Sequence, residues 1–220
     1  RLVDVPADAL GRTERLLAIL RQKGLPNYFG VQRFGYGGQN LARAVDWLGR
    51  GGRGGGRNTR FLRKLYPSVV QSEIFNRYLT RRLAQGDLEL LTGDVVRLNG
   101  SSAVFLVEDR EQELPRFASG DIHLTGPMIG PKMREAAGVP LELERAVTAE
   151  LELGEAELSL LGAMAAGTRR DLIVRIDDLD VDRLDDGSLV LQFTLPSGSY
   201  ATQLVRELTR TPFASDASHG

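Results

Sequence analysis

Read for apolar and polar positions alone, the chain alternates helical periods with short strand-like runs. From Thr13 to Leu20 apolar residues recur at helical spacing, with Thr13 or Asp8 as candidate cap and Gly24 as the stop. Gln39 or Asn40 opens a second helix with Leu41, Ala44, Val45 and Leu48 on one face and Gly49 at its end. Ser68-Val69-Val70-Gln71 after Pro67 is a capping-box pattern and predicts a helix to about Gln85. Its Val70, Ile74, Tyr78 and Leu79 can face a core, and Arg77, Arg81 and Arg82 can face out. Val95–Leu98 and Ala103–Val107 predict a hairpin around Asn99-Gly100. Residues 108–118 read as a helix interrupted by Pro115, and residues 120–127 as a turn-rich connector. Residues 141–153 and 155–166 read as two acidic helices parted at Gly154. Two alternating runs, 172–176 and 189–195, predict strands separated by the turn Asp185-Asp186-Gly187. Pro196-Ser197-Gly198 turns the chain, and Ser199 can cap a last helix through Leu208. There is no internal repeat, and this irregular order argues for an α+β fold rather than a βαβ series.

Composition narrows the classes. The chain has 220 residues and is 42% hydrophobic, enough for one large domain or two small ones. It has no apolar run long enough to span a bilayer and no signal-peptide pattern. Cysteine is absent, which excludes disulfides, a cysteine nucleophile and thiolate metal sites. With His123 and His219 the only imidazoles, a His-rich metal site is excluded too. The net charge of −1 hides an asymmetry: residues 33–82 hold 11 basic and 2 acidic side chains, residues 83–166 hold 6 and 15. The basic block suits a phosphate-rich partner, and solvated helix faces would give the same count.

The densest local chemistry is Gly24-Leu25-Pro26-Asn27-Tyr28-Phe29-Gly30-Val31-Gln32-Arg33-Phe34-Gly35. Pro26 disfavours helix at Leu25 and the glycines permit positive φ or close approach, so this reads as a shaped loop. An aromatic face can stack on a base, and Asn, Gln and Arg can bond base edges or phosphate. An aromatic plug beneath a loop is the other reading. Gly49 to Asn58, with six glycines and three arginines, reads as a mobile hinge, an RGG-type RNA-binding tract, or both. Gly35-Tyr36-Gly37-Gly38-Gln39-Asn40 before a helix mimics a nucleotide phosphate loop. No convincing parallel strand precedes it, no Lys-Ser/Thr follows, and no acidic residue stands about 20 positions on.

Asn27-Tyr28-Phe29-Gly30-x-Gln32-Arg33-Phe34-Gly35 resembles the signature of the TruD family of tRNA pseudouridine synthases. Ser72-Glu73-Ile74-Phe75-Asn76 with Arg81 beyond it, and Leu195-Pro196-Ser197-Gly198-Ser199-Tyr200-Ala201-Thr202 followed by Arg206-Glu207-Leu208, fit the same family in the same order. The resemblance implies isomerisation of uridine 13 of tRNA by a cytoplasmic, monomeric protein without cofactor or metal. It also implies a pseudouridine synthase-like catalytic domain, C-terminal portion only, at 1–50 and 168–212. A family-specific α+β insertion would occupy 51–167, entered through the glycine hinge, with a frayed tail at 213–220. By the same resemblance Phe29 stacks on the target uracil, and Asn27 lies near the aspartate and nucleotide. Gln32 and Arg33 position the loop or a phosphate, with Tyr28 and Phe34 as packing residues. The resemblance also gives Tyr200 and Arg206 at the last helix to the substrate, where they suit a phosphate; the residues by themselves favour an ordinary capped helix with surface charge. Arg77, Arg81, Arg82, Arg169 and Arg170 complete the expected RNA contacts. Arg169 and Arg170 also fit a helix C-terminus. The family's Gly-x-Lys-Asp type motif does not occur here, and only Asp4 and Asp8 precede the loop. The expectation is therefore the C-terminal part of a longer enzyme, catalytically silent alone. A non-catalytic RNA-binding module is the alternative, and a nucleotide-binding enzyme the more distant one.

Overall fold

The computed structural model describes residues 9–209 except 55, 87, 177, 186, 187 and 197; of residues 9–14, 183 and 209 it describes the backbone only. The frayed-tail expectation and the candidate cap Asp8 lie outside these residues. The chain forms two compact units, 1–30 with 173–220, and 31–172.

The first unit holds helix α1 (Ala9–Lys23), the short strand β1 (Leu25–Pro26), its antiparallel partner β6 (Ile173–Val174), the hairpin β7 (Asp180–Arg183) and β8 (Leu189–Gln192), and helix α8 (Ala201–Thr209). Thr13 falls inside α1, so it is not the cap. Two-residue strands are marginal alone. What holds them is a cluster of Leu17, Leu20, Leu25, Ile176, Leu179, Leu204 and Leu208, with Phe193 and Leu195 packed against it. Gly24 turns the chain from α1 into β1 at φ +78°, and a Cβ there would collide with the Ile173 side chain. Arg21 Nη2 donates to the Leu179 carbonyl at 2.7 Å, tying α1 to the approach to β7.

The second unit opens with α2 (Val31–Phe34), a 3-10 turn at Tyr36–Gly38 and α3 (Gln39–Gly49). After a further 3-10 turn, Gly56–Asn58, the 26-residue helix α4 (Thr59–Ala84) runs through Pro67. The sequence expectation of a start at Ser68 is corrected here. An interior proline costs about 3 kcal/mol, yet the turns before it have tertiary partners. The rings of Tyr66 and Trp47 meet edge-to-face at 5.6 Å, and α3 packs along α4. Ser68 Oγ donates to the Leu65 carbonyl at 2.8 Å instead of capping a terminus.

The sheet of this unit has the order β3-β2-β4-β5, all antiparallel, from β2 (Val95–Leu98), β3 (Val104–Leu106), β4 (Ile122–Met128) and β5 (Thr168–Asp171). The hairpin matches the sequence reading. The connector expected at 120–127 is instead the central strand β4. Its Gly-Pro pair suggested a turn, but Gly126 is required by close packing: a Cβ would lie 2.9 Å from Phe75 Cε2 of α4. Likewise Thr168–Asp171 is a strand, not the end of a helix. Helix α5 (Arg110–Ser119) accommodates Pro115 and is capped by Asp109, whose carboxylate accepts from the Glu111 and Gln112 amides. The two acidic helices are α6 (Gly138–Ala149) and α7 (Glu155–Met164).

The two units join at 30/31 and 172/173. The glycine run therefore does not join the two units. It is a turn inside the second one. Gly52 N–H donates to the Trp47 carbonyl at 3.0 Å, and Thr59 Oγ1 donates to the Gly56 carbonyl at 2.8 Å.

Gly93 is the residue most constrained by shape. It sits at φ +92°, and a Cβ would run into the Ala137 carbonyl, while Gly93 and Ala137 also exchange a backbone bond of 2.9 Å. Gly93→Ala should cost about 1–3 kcal/mol, read as a lower denaturation midpoint with an unchanged slope. A midpoint equal to wild type would show that this loop relaxes freely.

Candidate nucleic-acid interface

In the first unit the chain brings two distant segments together. Asn27 and Phe29 follow β1; Ser199 and Tyr200 precede α8. Ser199 Oγ donates a long bond, 3.4 Å, to Asn27 Oδ1. The rings of Phe29 and Tyr200 meet edge-to-face, centroids 5.9 Å apart at 64°. Asn27 and Phe29 are each 7% exposed, and Tyr200 and Arg206 are half-buried. Phe29 thus has a packing partner in Tyr200. The contact fixes its ring plane, because two χ angles locked by an aromatic neighbour leave little freedom. Ser199 was read in sequence only as a cap; its bond to Asn27 depends on closure over 172 positions.

Gln32 and Arg33 belong to the second unit, on α2. Gln32 is exposed, Arg33 half-buried, and Arg33 Nη1 reaches Ser68 Oγ at 3.5 Å. Tyr36 is 97% exposed in the turn that follows.

The arginines expected to bind RNA separate into different environments. Arg82 is 2% exposed and faces in, against the sequence expectation. It forms a bidentate pair with Asp94 at 2.5 and 3.1 Å and donates to Tyr78 Oη at 2.9 Å and the Glu89 carbonyl at 2.7 Å. Burial pushes the Tyr78 hydroxyl well above its usual range. Burial opposes the Arg82 charge, but the bonds to Asp94 and Tyr78 outweigh it and hold the guanidinium above its usual range. Arg169 is likewise buried. It donates to both Glu144 carboxylate oxygens at 2.5 and 3.3 Å and to the Arg134 carbonyl at 2.6 Å. Burial raises the Glu144 carboxyl and Arg169 pulls it back. A guanidinium with its donors committed inside the protein cannot take up a phosphate. Sequence periodicity missed this because an arginine at the edge of an apolar stripe faces in when a buried carboxylate waits there.

Arg77 and Arg81 do lie at the surface. Both pair with Glu150, at 3.2 and 2.7 Å, and Arg77 also with Glu73 at 2.8 Å. Arg170 is half-buried with its guanidinium over the Phe75 ring at 5.3 Å. Among the described residues no group of three His, Asp or Glu could hold a metal ion, and no helix is long and apolar enough to cross a membrane.

The family model of tRNA pseudouridine synthase D (TruD) matches residues 58–208. The chain is 40% identical over 216 residues to tRNA pseudouridine synthase D of Aeromonas salmonicida (strain A449), covering 97% of this chain and 58% of that protein. To the protein of the same name from Anaeromyxobacter dehalogenans (strain 2CP-C) it is 38% identical over 205 residues, covering 91% and 58%. A crystal structure of a TruD-type protein from Methanosarcina mazei superposes with a TM-score of 0.66 at 24% identity, over 91% of this chain and 65% of that one, a likeness of fold. The chain spans about 58% of the length of these curated relatives.

The two kinds of arginine respond differently to truncation. Arg82→Ala leaves Asp94 charged, buried and unpaired, and should cost about 3–5 kcal/mol. Arg81→Ala removes an exposed pair and should cost about 0–1 kcal/mol. Chemical denaturation of both variants checks this; equal midpoints would contradict the buried-pair assignment.

Proposed function

The chain belongs to the TruD family of tRNA pseudouridine synthases, and on that premise we propose that the full-length protein converts uridine 13 of tRNA to pseudouridine. It acts in the cytoplasm as a monomer without metal or cofactor, as the family resemblance implies. The first unit contributes to the catalytic domain, and the second contains the family-specific insertion. The observation that carries the reading is the meeting of Asn27 and Phe29 with Ser199 and Tyr200 at the start of α8. Two signature stretches more than 160 positions apart in sequence thereby build one place.

The reaction breaks the bond from the sugar to the base nitrogen, turns the uracil and rejoins it through carbon. The base must first leave its stack, at a cost of about a few kcal/mol. An aromatic face replaces part of the lost stacking, and amide groups hold the uracil edge. Phe29 supplies the face, held by Tyr200; Asn27, held by Ser199, supplies the amide. Gln32 and Arg33 position the loop or a phosphate, and Arg206 suits a phosphate near α8. Arg77, Arg81 and Arg170 are the members of the expected RNA-contacting set whose side chains are not fully buried. The aspartate that acts on the sugar or base belongs to the Lys-Asp motif, which these 220 residues do not include. The chain alone should release no tritium from 5-tritiated uridine in tRNA, while the full-length protein should release it. Turnover by the 220-residue chain would place the nucleophile within it.

Phe29 is buried enough that truncation alone cannot distinguish stacking from packing. Phe29→Ala should cost about 3–5 kcal/mol through a cavity whichever role holds. Phe29→Leu keeps apolar volume and removes the π-face; Phe29→Tyr keeps the face. In the full-length protein, stacking predicts single-turnover rates that fall by at least about tenfold in Phe29→Leu and persist in Phe29→Tyr, at similar melting temperatures. Unimpaired turnover in a folded Phe29→Leu protein would end the assignment of Phe29 as the base platform.

A further inference from the structure

The first turns of α4 carry a surface that the expected site does not use. Arg60, Phe61 and Lys64 lie on α4 with Lys64 four residues after Arg60 and three after Phe61, so they share one helix face, and Arg57 stands in the 3-10 turn immediately before the helix. Arg63 borders that face, and Arg53 precedes it in the glycine-rich turn. All of these cations are exposed, and Phe61 is 62% exposed. Farther along the same helix, Arg77, Arg81 and Arg82 are spent on Glu73, Glu150 and Asp94. By contrast, Arg53, Arg57, Arg60, Arg63 and Lys64 form no ion pair and no side-chain hydrogen bond with any described residue.

Phe61 and these cations stand open to solvent, where a partner can reach them together. Phosphates neutralise such cations with release of counterions. A ring standing among them offers a stacking face to any base, and arginine planes add to it. A folded acidic protein would satisfy the charges but has no particular use for the ring. We propose that the Arg57-Arg60-Phe61-Lys64 face is an RNA-docking surface that holds an unpaired stretch of the substrate RNA: the cations take successive phosphates and Phe61 stacks on a base. This rests on the reading of the protein as an RNA-modifying enzyme and adds a contact surface apart from the Asn27–Phe29 segment.

The test compares full-length wild type with Arg57→Ala/Arg60→Ala/Lys64→Ala, Phe61→Leu, Phe61→Tyr and Arg81→Ala. Binding to an unmodified tRNA transcript and to a short oligouridylate is followed by anisotropy across a salt series. The triple variant should lower the slope of log K against log salt by about two, roughly 0.7 for each lost phosphate contact on a single strand. Arg81→Ala, whose charge is already paired, should change it less. Phe61→Leu should bind about tenfold more weakly at an unchanged slope, and Phe61→Tyr should bind like wild type. All positions are exposed, so melting temperatures should not move. An unchanged slope in the triple variant, or wild-type affinity in Phe61→Leu, overturns the surface. So does a wild-type protein that ignores oligouridylate and binds phosphatidylserine vesicles through these cations. Pseudouridine formation in the same transcript is scored separately: its absence from wild type would end the proposed activity, while the slopes would still judge the surface.

Discussion

The second unit depends on one close approach, that of α4 to the middle of its sheet. Phe75 lies where the side chain of residue 126 would be, and Gly126 lets the ring reach the strand backbone. Phe75, Ile74, Tyr78 and Leu79 of α4 are buried, as are Val95, Val96, Ile122 and Leu124 of the sheet, and α4 packs along β4. Any residue larger than glycine would push the helix off β4 and open the core at its centre, since interiors tolerate little change in volume. The Arg170 guanidinium of β5 lies over the same ring, so one aromatic joins the helix, β4 and the edge strand.

The buried ion pairs make sense within that frame. Arg82 and Asp94 sit where α4 ends and β2 begins; Arg169 and Glu144 join β5 to α6. Each pair costs desolvation that its Coulomb attraction only partly returns, so net stability is a weak account of them. Their value is geometric. Asp94 accepts from Arg82 and also from the Leu91 amide at 2.8 Å, which fixes the loop entering the sheet. Arg169 orders the Arg134 carbonyl as well as Glu144. A misregistered strand would strand a charge, and that penalty falls on alternatives rather than on the native state.

Helical periodicity was legible in α1 and α3, which lie close to where their apolar spacing puts them, and α6 and α7 lie close to the two acidic helices read on either side of Gly154. It failed where tertiary packing overrides a local signal. Pro67 suggested a helix start, but Tyr66 and its neighbours are held by α3. Gly126-Pro127 suggested a turn, but the glycine serves Phe75. The α2 turn at Val31–Phe34 also escaped, hidden in a loop whose glycines dominate its reading. The aromatic-carboxamide loop was legible as chemistry, and its partner segment only through family resemblance, because nothing local in Ser199-Tyr200 points back to Asn27. The basic block was legible as a charge count and not as a surface. Counting cannot separate Arg82, enclosed with Asp94, from Arg60, which is exposed and pairs with no described residue.

That distinction orders the charges along α4. A helix exposing every arginine would be a uniform polycation, able to hold RNA in many registers. Pairing Arg77 and Arg81 with Glu150, and burying Arg82, confines the unneutralised charge to the first turns of the helix and the turn before it. Because salt screens exposed charges over about 8–10 Å, a confined patch attracts phosphates locally, whereas a full-length stripe would attract them all along the helix. Glu150, just beyond α6, is the carboxylate that both Arg77 and Arg81 meet. The balance of +9 in one stretch and −9 in the next is therefore not simply two solvated faces: acidic groups cancel part of the basic helix and leave the rest available.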